Sequence, residues 1–332
     1  MTDFTDLIDL ASERLGGAVV WANDEFFAPK EAMLKPSPAE WREGAYTERG
    51  KWMDGWETRR RRDAGHDWCL IRLGAPGVVR GVVIDTAFFK GNFPQEAQIE
   101  GAEISGVPDP VQIDSDPRVK WTTLVSRIAL QGDTQNAFAV PAGARVTHLR
   151  LRIYPDGGVA RLRVHGEVRL DPAIAMSGRE LDWAAQEHGG FVERCSDMFF
   201  GHRQNLILPG RSTHMGDGWE TRRRRGDGND WTIVKLGAAA TLSRIELDTD
   251  HYKGNAPGWV MLQHAAITRP FAEELATHAA WSELVPRVAV QPHARHVWPA
   301  PAGVTATHVR LNIYPDGGVA RLRLFGTAAT AR

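Results

Sequence analysis

The segment DGWETRRRR occupies residues 54–62 and returns letter for letter at residues 217–225. Four adjacent guanidinium groups behind a carboxylate suit one kind of chemistry: gripping a small anion while an acid–base group works beside it. Arginine offers a rigid planar fork that holds a carboxylate through two parallel hydrogen bonds, a geometry that lysine lacks. Read as a strand, the run sends Glu57, Arg59 and Arg61 to one face and Trp56, Thr58, Arg60 and Arg62 to the other. That alternation predicts Arg59 and Arg61 as the anion grip, with Arg60 and Arg62 structural, packed on Trp56 or paired with Asp85. A solvated charged edge, partly neutralised by Glu57 and Asp63, is the competing reading. Retention of every arginine in both copies weighs against it.

Other chemistry-bearing residues are repeated too. HDW (residues 66–68) answers NDW (229–231), and DTAFFKGN (85–92) answers DTDHYKGN (248–255). The candidate acids and bases are Glu57, His66, Asp67 and Asp85. The candidate substrate-binding residues are Arg59, Arg61, Lys90, Asn92 and Asp156, with Glu220, Arg222, Arg224, Asp248, Lys253, Asn255 and Asp316 in the second copy. In KGN the glycine is expected to take an unusual backbone angle while Lys and Asn present donors. Asp156 and Asp316, in YPDGG, read more readily as hairpin-turn residues, and His148 and His308 read equally as core histidines. The site is expected where residues 56–62 meet the KGN and PDGG turns. There is no nucleophile elbow, P-loop, dinucleotide fingerprint or zinc-spaced cysteine pair. His251 and His264 occur only in the second copy, which argues against a histidine metal cluster shared by both. No metal ligand and no cofactor is indicated, and a divalent metal stays open.

The elements that must position these residues come in two sets. Matching positions lie 163 residues apart through the arginine run and KGN, 160 apart in THLRLRIYPDGGVARLRVHG, and 173 apart upstream in NDEFF. The first copy therefore carries ten extra residues before its arginine run, near 36–50, and three after KGN, near 93–120. A period this long marks a duplicated domain rather than a solenoid, with domains over residues 1–170 and 171–332. Leu149, Leu151 and Ile153 alternate with Arg150 and Arg152, and beyond the PDGG turn Leu162 and Val164 alternate with Arg161 and Arg163. Short strands with Gly/Pro turns predict an all-β chain of two tandem jelly-roll β-sandwiches. Short amphipathic helices are expected near residues 7–15 and 181–188.

Composition sets the outer bounds. Forty basic and 41 acidic side chains leave a net charge of −1, which argues against a nucleic-acid partner. Cys69 and Cys195 fall at non-equivalent positions of the copies, so no shared disulfide framework exists. The acidic N-terminus is unlike a signal peptide, and no apolar run reaches membrane-span length. A soluble, cytoplasmic protein is expected, with no membrane partner and with homo-oligomerisation left open.

Taken together, NDEFFAPKEAMLKP (23–36), MDGWETRRRR (53–62), GHDWCLIRLG (65–74), IDTAFFKGN (84–92) and THLRLRIYPDGGVARLR (147–163) closely resemble the allantoicase family. The resemblance covers both copies. It implies two galactose-binding-like jelly rolls and a role in purine (allantoin) degradation, the hydrolysis of allantoate to ureidoglycolate and urea. The second copy departs from the first at Asn229 in place of His66, and at residues 250–252 (DHY) in place of 87–89 (AFF). Allantoate carries a carboxylate and two ureido groups on one carbon, and the implied reaction breaks the Cα–N bond. That step needs a proton for the leaving urea and a base for the water. A non-catalytic carbohydrate- or small-anion-binding sandwich is the alternative.

Overall fold

The computed structural model describes residues 4–106, 108–141, 143–267 and 280–329. The chain divides into two compact units, Met1–Arg169 and Leu170–Arg332. In the first, strands run β1 (Ile8–Asp9), β2 (Ala18–Ala22), β3 (Tyr46–Thr47), β4 (Gly50–Lys51), β5 (Trp56–Glu57), β6 (Asp67–Asp85), β7 (Glu96–Ala102), β8 (Thr122–Ala129), β9 (Gln135–Ala139), β10 (Val146–Tyr154), β11 (Gly158–Val159) and β12 (Arg161–Val168).

The 19-residue β6 organises the unit. Its first half pairs antiparallel with β10 and β2, and its second half with β12 and β9. Between the halves lies Gly-Ala-Pro-Gly, where the β6–β10 register shifts. Proline cannot donate to a ladder, so the strand changes partners there. The eight strands form one hydrogen-bonded network in the order β1-β12-β6-β10-β7-β8, with β2 and β9 each pairing β6 off that path. Strand β6 is thus shared between the β2-β6-β10-β7-β8 and β1-β12-β6-β9 layers. Leu149, Leu151 and Ile153 of β10, Leu162 and Val164 of β12, and Val82 and Ile84 of β6 are fully buried. Each such side chain contributes about 1.5–3 kcal/mol of burial. The second unit repeats the plan. Strand Asp230–Asp248 pairs with Thr305–Tyr314 and Phe191–Cys195 along its first half, and with Arg321–Ala328 and Arg295–Pro299 along its second. The all-β sandwich expected from period-two patterning is what forms.

The expected N-terminal helix does not form. Residues 7–15 hold the short strand β1, paired with His165–Gly166, between single 3₁₀ turns at Phe4–Asp6 and Glu13–Leu15. The Asp9 carboxylate accepts from the backbone N–H of Ala11 and of Val164, at 3.2 and 2.9 Å, tying this stretch to the β12 edge. Asp182 does the same with Ala184 and Leu324, at 3.1 and 2.8 Å, where the second helix was expected. A short acidic side chain that captures backbone donors competes with helix formation.

A buried ion pair anchors the arginine run in each unit. Arg161, 1% exposed, reaches the Asp54 carboxylate at 2.5 Å and the carbonyls of Ser37, Pro38 and Asp54. Arg321 reaches Asp217 at 3.1 Å. Burial pushes the Asp54 carboxyl up, but hydrogen bonds from Arg161 and Lys35 outweigh it and hold the group below its ordinary value.

Candidate active site

Beyond that anchor, three turns converge in the first repeat. Thr58 and Gly157 exchange hydrogen bonds, the Thr58 N–H donating at 3.2 Å and its hydroxyl accepting the Gly157 N–H at 3.1 Å. The Gly158 N–H donates to the Asn92 carbonyl at 2.8 Å, and the Arg61 N–H to the Asp156 carboxylate at 2.8 Å. So the arginine run, the KGN turn and the PDGG turn do meet. Both glycines of PDGG are obligatory: Gly157 has φ +137°, and a Cβ on Gly158 would lie 1.9 Å from the Phe89 ring. Gly91 is not the strained residue of its turn. The left-handed position is Phe88, φ 67°, whose N–H is held by Asp133 at 2.7 Å.

At this junction opens a cavity of about 770 Å³ lined by Phe27, Trp41, Glu43, Lys51, Met53, Glu57, Phe88, Lys90, Gly91 and Asn92. Glu57, 9% exposed, accepts a hydrogen bond from the Asn92 amide at 2.7 Å. Burial raises its carboxyl above the ordinary glutamate value, and the Asn92 bond offsets part of that rise. Trp41 lies 5.7 Å from the Phe88 ring, and the Lys51 ammonium sits 4.0 Å over Trp41. A half-apolar chamber thus brings the carboxyls of Glu57 and Glu43 together with the ammonium groups of Lys51 and Lys90. It can take an anion and pass a proton to it.

The allantoicase repeat family model matches residues 8–169 and 181–329. A probable allantoicase of Streptomyces coelicolor is 48% identical over 98% of this chain and 86% of its own length. Probable allantoicase 1 of Burkholderia mallei is 46% identical over 96% of this chain and 94% of its own. The crystal structure of allantoicase from Saccharomyces cerevisiae superposes with a TM-score of 0.80 at 34% identity, covering 96% of this chain and 92% of that one. The chain belongs to the allantoicase family.

Within this allantoicase repeat the sequence-predicted residues separate into three places. Glu57, Lys90 and Asn92 line the cavity. Arg59, Arg61 and Asp67 line a second, smaller pocket with Asn23, Asp24, Arg60, Arg62 and Asp63. Asp85 lines neither: its carboxylate caps the Ala87 N–H at 2.8 Å. His66 also lies outside both, with Nε2 at 3.1 Å from an Arg152 guanidinium nitrogen. Burial, then the charges of Arg152 and Arg61, lower its pKa below the ordinary histidine value.

The strand reading of the arginine run needs correcting. The strand ends at Glu57, and residues 58–62 lie outside any strand, with the Thr58 N–H bonded to the Gly157 carbonyl and the N–H groups of Arg59 and Arg61 to the carboxylates of Asp24 and Asp156. Arg59 is tied to the Asp24 carboxylate by its N–H at 2.9 Å and its Nε at 2.6 Å. Arg61 is tied to Asp67 at 2.7 Å and Asp63 at 3.0 Å. Arg60 and Arg62 are exposed and neither pack on Trp56 nor pair with Asp85; Trp56 donates instead to the Asp24 carbonyl at 2.8 Å. Carboxylates remote in sequence, not strand parity, choose which arginines are held.

The second allantoicase repeat keeps these clamps. Arg222 is held by Asp197, and Arg224 by Asp230 and, through its N–H at 2.7 Å, by Asp316. Asn255 donates to Glu220 at 2.5 Å, and Lys253 is exposed beside it in sequence. Asp248 is elsewhere, in a cavity of about 330 Å³ with Glu246, Arg295, Arg321 and Arg323.

Sequence reasoning missed Trp41, Glu43, Lys51, Met53, Phe27 and Phe88 as cavity wall. A signal was present: Trp41 and Glu43 fall in the ten residues that only the first copy carries. Among the described residues, no group of three or more His, Cys, Asp or Glu side chains is placed to hold a metal ion, and no helix is long and apolar enough to cross a membrane.

Proposed function

We propose that this chain hydrolyses allantoate to ureidoglycolate and urea in the cavity of its first repeat, with Glu57 as the acid–base group. Membership of the allantoicase family supports the reaction. The observation that carries the site is the buried Glu57 carboxyl, its pKa raised by burial, on the wall of a cavity that also holds Lys51 and Lys90.

The substrate carboxylate is drawn to the two ammonium groups, and a planar ureido group lies against Trp41. Arg59 and Arg61, engaged by Asp24 and Asp67 and lining the separate smaller pocket, do not grip the substrate. Protonated Glu57 donates to the nitrogen of one ureido group. The lone pair of the remaining ureido nitrogen then expels urea, leaving a carbon–nitrogen double bond on Cα. Water adds to that carbon and gives its proton to the Glu57 carboxylate, which restores the acid. Allantoate and water are consumed; ureidoglycolate and urea are formed. Asn92 holds the carboxyl in place through both steps. All proton transfers run through Glu57 and water, so chelators are expected to leave urea release unchanged.

The test is urea release from allantoate by purified protein, with allantoin as the control that should not react, and the same assay on Glu57→Gln. A folded sample that binds allantoate without releasing urea would leave a small-anion-binding sandwich in place of an enzyme.

A further inference from the structure

Of the nine repeated residues, seven have contacts inside their own unit that account for their retention. Asp54 pairs with Arg161, Trp56 fills the core, Glu57 meets Asn92, Thr58 meets Gly157, and Arg59 and Arg61 meet Asp24 and Asp67. A Cβ on Gly55 would lie 2.6 Å from the Val159 carbonyl oxygen. The second copy repeats these contacts around Asp217, Trp219, Glu220, Thr221, Arg222 and Arg224. Arg60 and Arg62, like Arg223 and Arg225, are exposed, and no described residue pairs with them. A purely solvated position would accept lysine or glutamine, so arginine at all four points to a ligand outside the fold.

The pocket behind Arg60 and Arg62 has the matching polarity. It measures about 380 Å³, and none of its lining residues lines the cavity over Glu57. Asp67, 3% exposed, uses Oδ1 for Asn23 and Arg61 and leaves Oδ2 buried without a partner. Arg61 Nε, in the same ion pair, is a buried donor without a partner, as is Arg224 Nε in the second repeat. A buried acceptor and a buried donor left open are costly unless a ligand completes them. Free guanidinium forks ask for a carboxylate, and Asp67 Oδ2 asks for an N–H beside it.

We propose that this pocket, and its counterpart around Arg222, Arg223, Arg224 and Arg225, binds a small ureido acid, a carboxylate bearing a urea nitrogen on its α-carbon, at a site separate from the catalytic cavity. The identity of the ligand class rests on the proposed reaction, whose substrate and product both belong to it. The pocket's need for a carboxylate and an N–H does not.

Calorimetric titration with N-carbamoylglycine, a ureido acid with no second ureido group to lose, tests this. Arg60→Gln/Arg62→Gln should weaken one binding equivalent by about tenfold or more, and Arg223→Gln/Arg225→Gln another, the loss expected for a charge-assisted fork. Melting curves should stay near wild type, because these side chains have no partner in the fold. Acetate, lacking the N–H, should bind more weakly. Unchanged titrations in both variants, or acetate binding as tightly, would overturn the site. So would loss of urea release by Arg60→Gln/Arg62→Gln at saturating allantoate, which would make this the reacting pocket. Protein that binds N-carbamoylglycine through these arginines but releases no urea sinks the reaction and keeps the site. Urea release without such binding does the reverse.

Discussion

In the first repeat Phe88 turns its ring toward Trp41, and a cavity stands open over Glu57. In the second, His251 takes nearly the same backbone conformation, φ 70° against 67°, but meets His293, whose Nδ1 accepts its N–H at 2.9 Å. Tyr252 replaces Phe89 and donates its hydroxyl to the Met215 carbonyl at 2.7 Å, while the Asn255 amide touches the Met215 sulfur at 3.4 Å. The carboxyl–amide pair survives in both repeats, Glu57 with Asn92 and Glu220 with Asn255. What differs is the wall: the inserted stretch and the β3–β4 hairpin bring Trp41, Glu43 and Lys51 to the first cavity. Duplication preserved the clamps that hold the fold, and the insertion turned one copy's clamp into a chamber.

That contrast breaks most sharply at the carboxyl itself. Glu57→Gln should lower kcat for urea release by about 10²–10⁴-fold, the scale of a lost acid–base group, whereas Glu220→Gln should leave it within a few-fold. Equal losses in steady-state assays of the two variants would mean that both repeats react.

Where the repeats are alike, the prediction is symmetry. Asp54→Ala and Asp217→Ala each strand a buried arginine, and each should cost about 3–5 kcal/mol in denaturant unfolding. A loss in only one would show that the anchors are not equivalent.

The wall comes next. Lys51→Met should raise KM for allantoate by about tenfold, the loss of one charged contact. His214→Ala, at the matching position of the second repeat, should leave KM unchanged in the same assay.

The smallest effects lie in pH. Protonated Glu57 begins the reaction, so kcat/KM should fall as pH rises through a pKa above the ordinary glutamate value. The Asn92 amide favours the charged form, so Asn92→Ala should move that limb to higher pH, while Asn255→Ala should not. Stability carries the same sign: a carboxyl raised in the fold contributes most below its unfolded pKa, and the contribution is lost as pH rises through the folded value. Glu57→Gln, which cannot ionise, should therefore melt above wild type by a margin that grows over that range. A margin independent of pH would show that Glu57 is not the group being desolvated.

Two-residue alternation, the 163- and 160-residue offsets and the glycine-rich turns were enough to establish a duplicated sandwich and to bring the arginine run, KGN and PDGG to one junction. These are local or repeated patterns, and a ladder of backbone hydrogen bonds obeys them wherever it forms. Once the strand stops at Glu57, side-chain direction passes to carboxylates elsewhere in the chain. Asp24 and Asp67 take Arg59 and Arg61, the arginines that parity assigned to the ligand, and leave Arg60 and Arg62 free. Asp85 ends the long strand β6 and turns its carboxylate onto its own backbone, so a candidate base is removed from the site. The cavity itself has no periodic signature. It exists because an unpatterned insertion folds Trp41 against Phe88, and only packing in three dimensions decides what an insertion encloses.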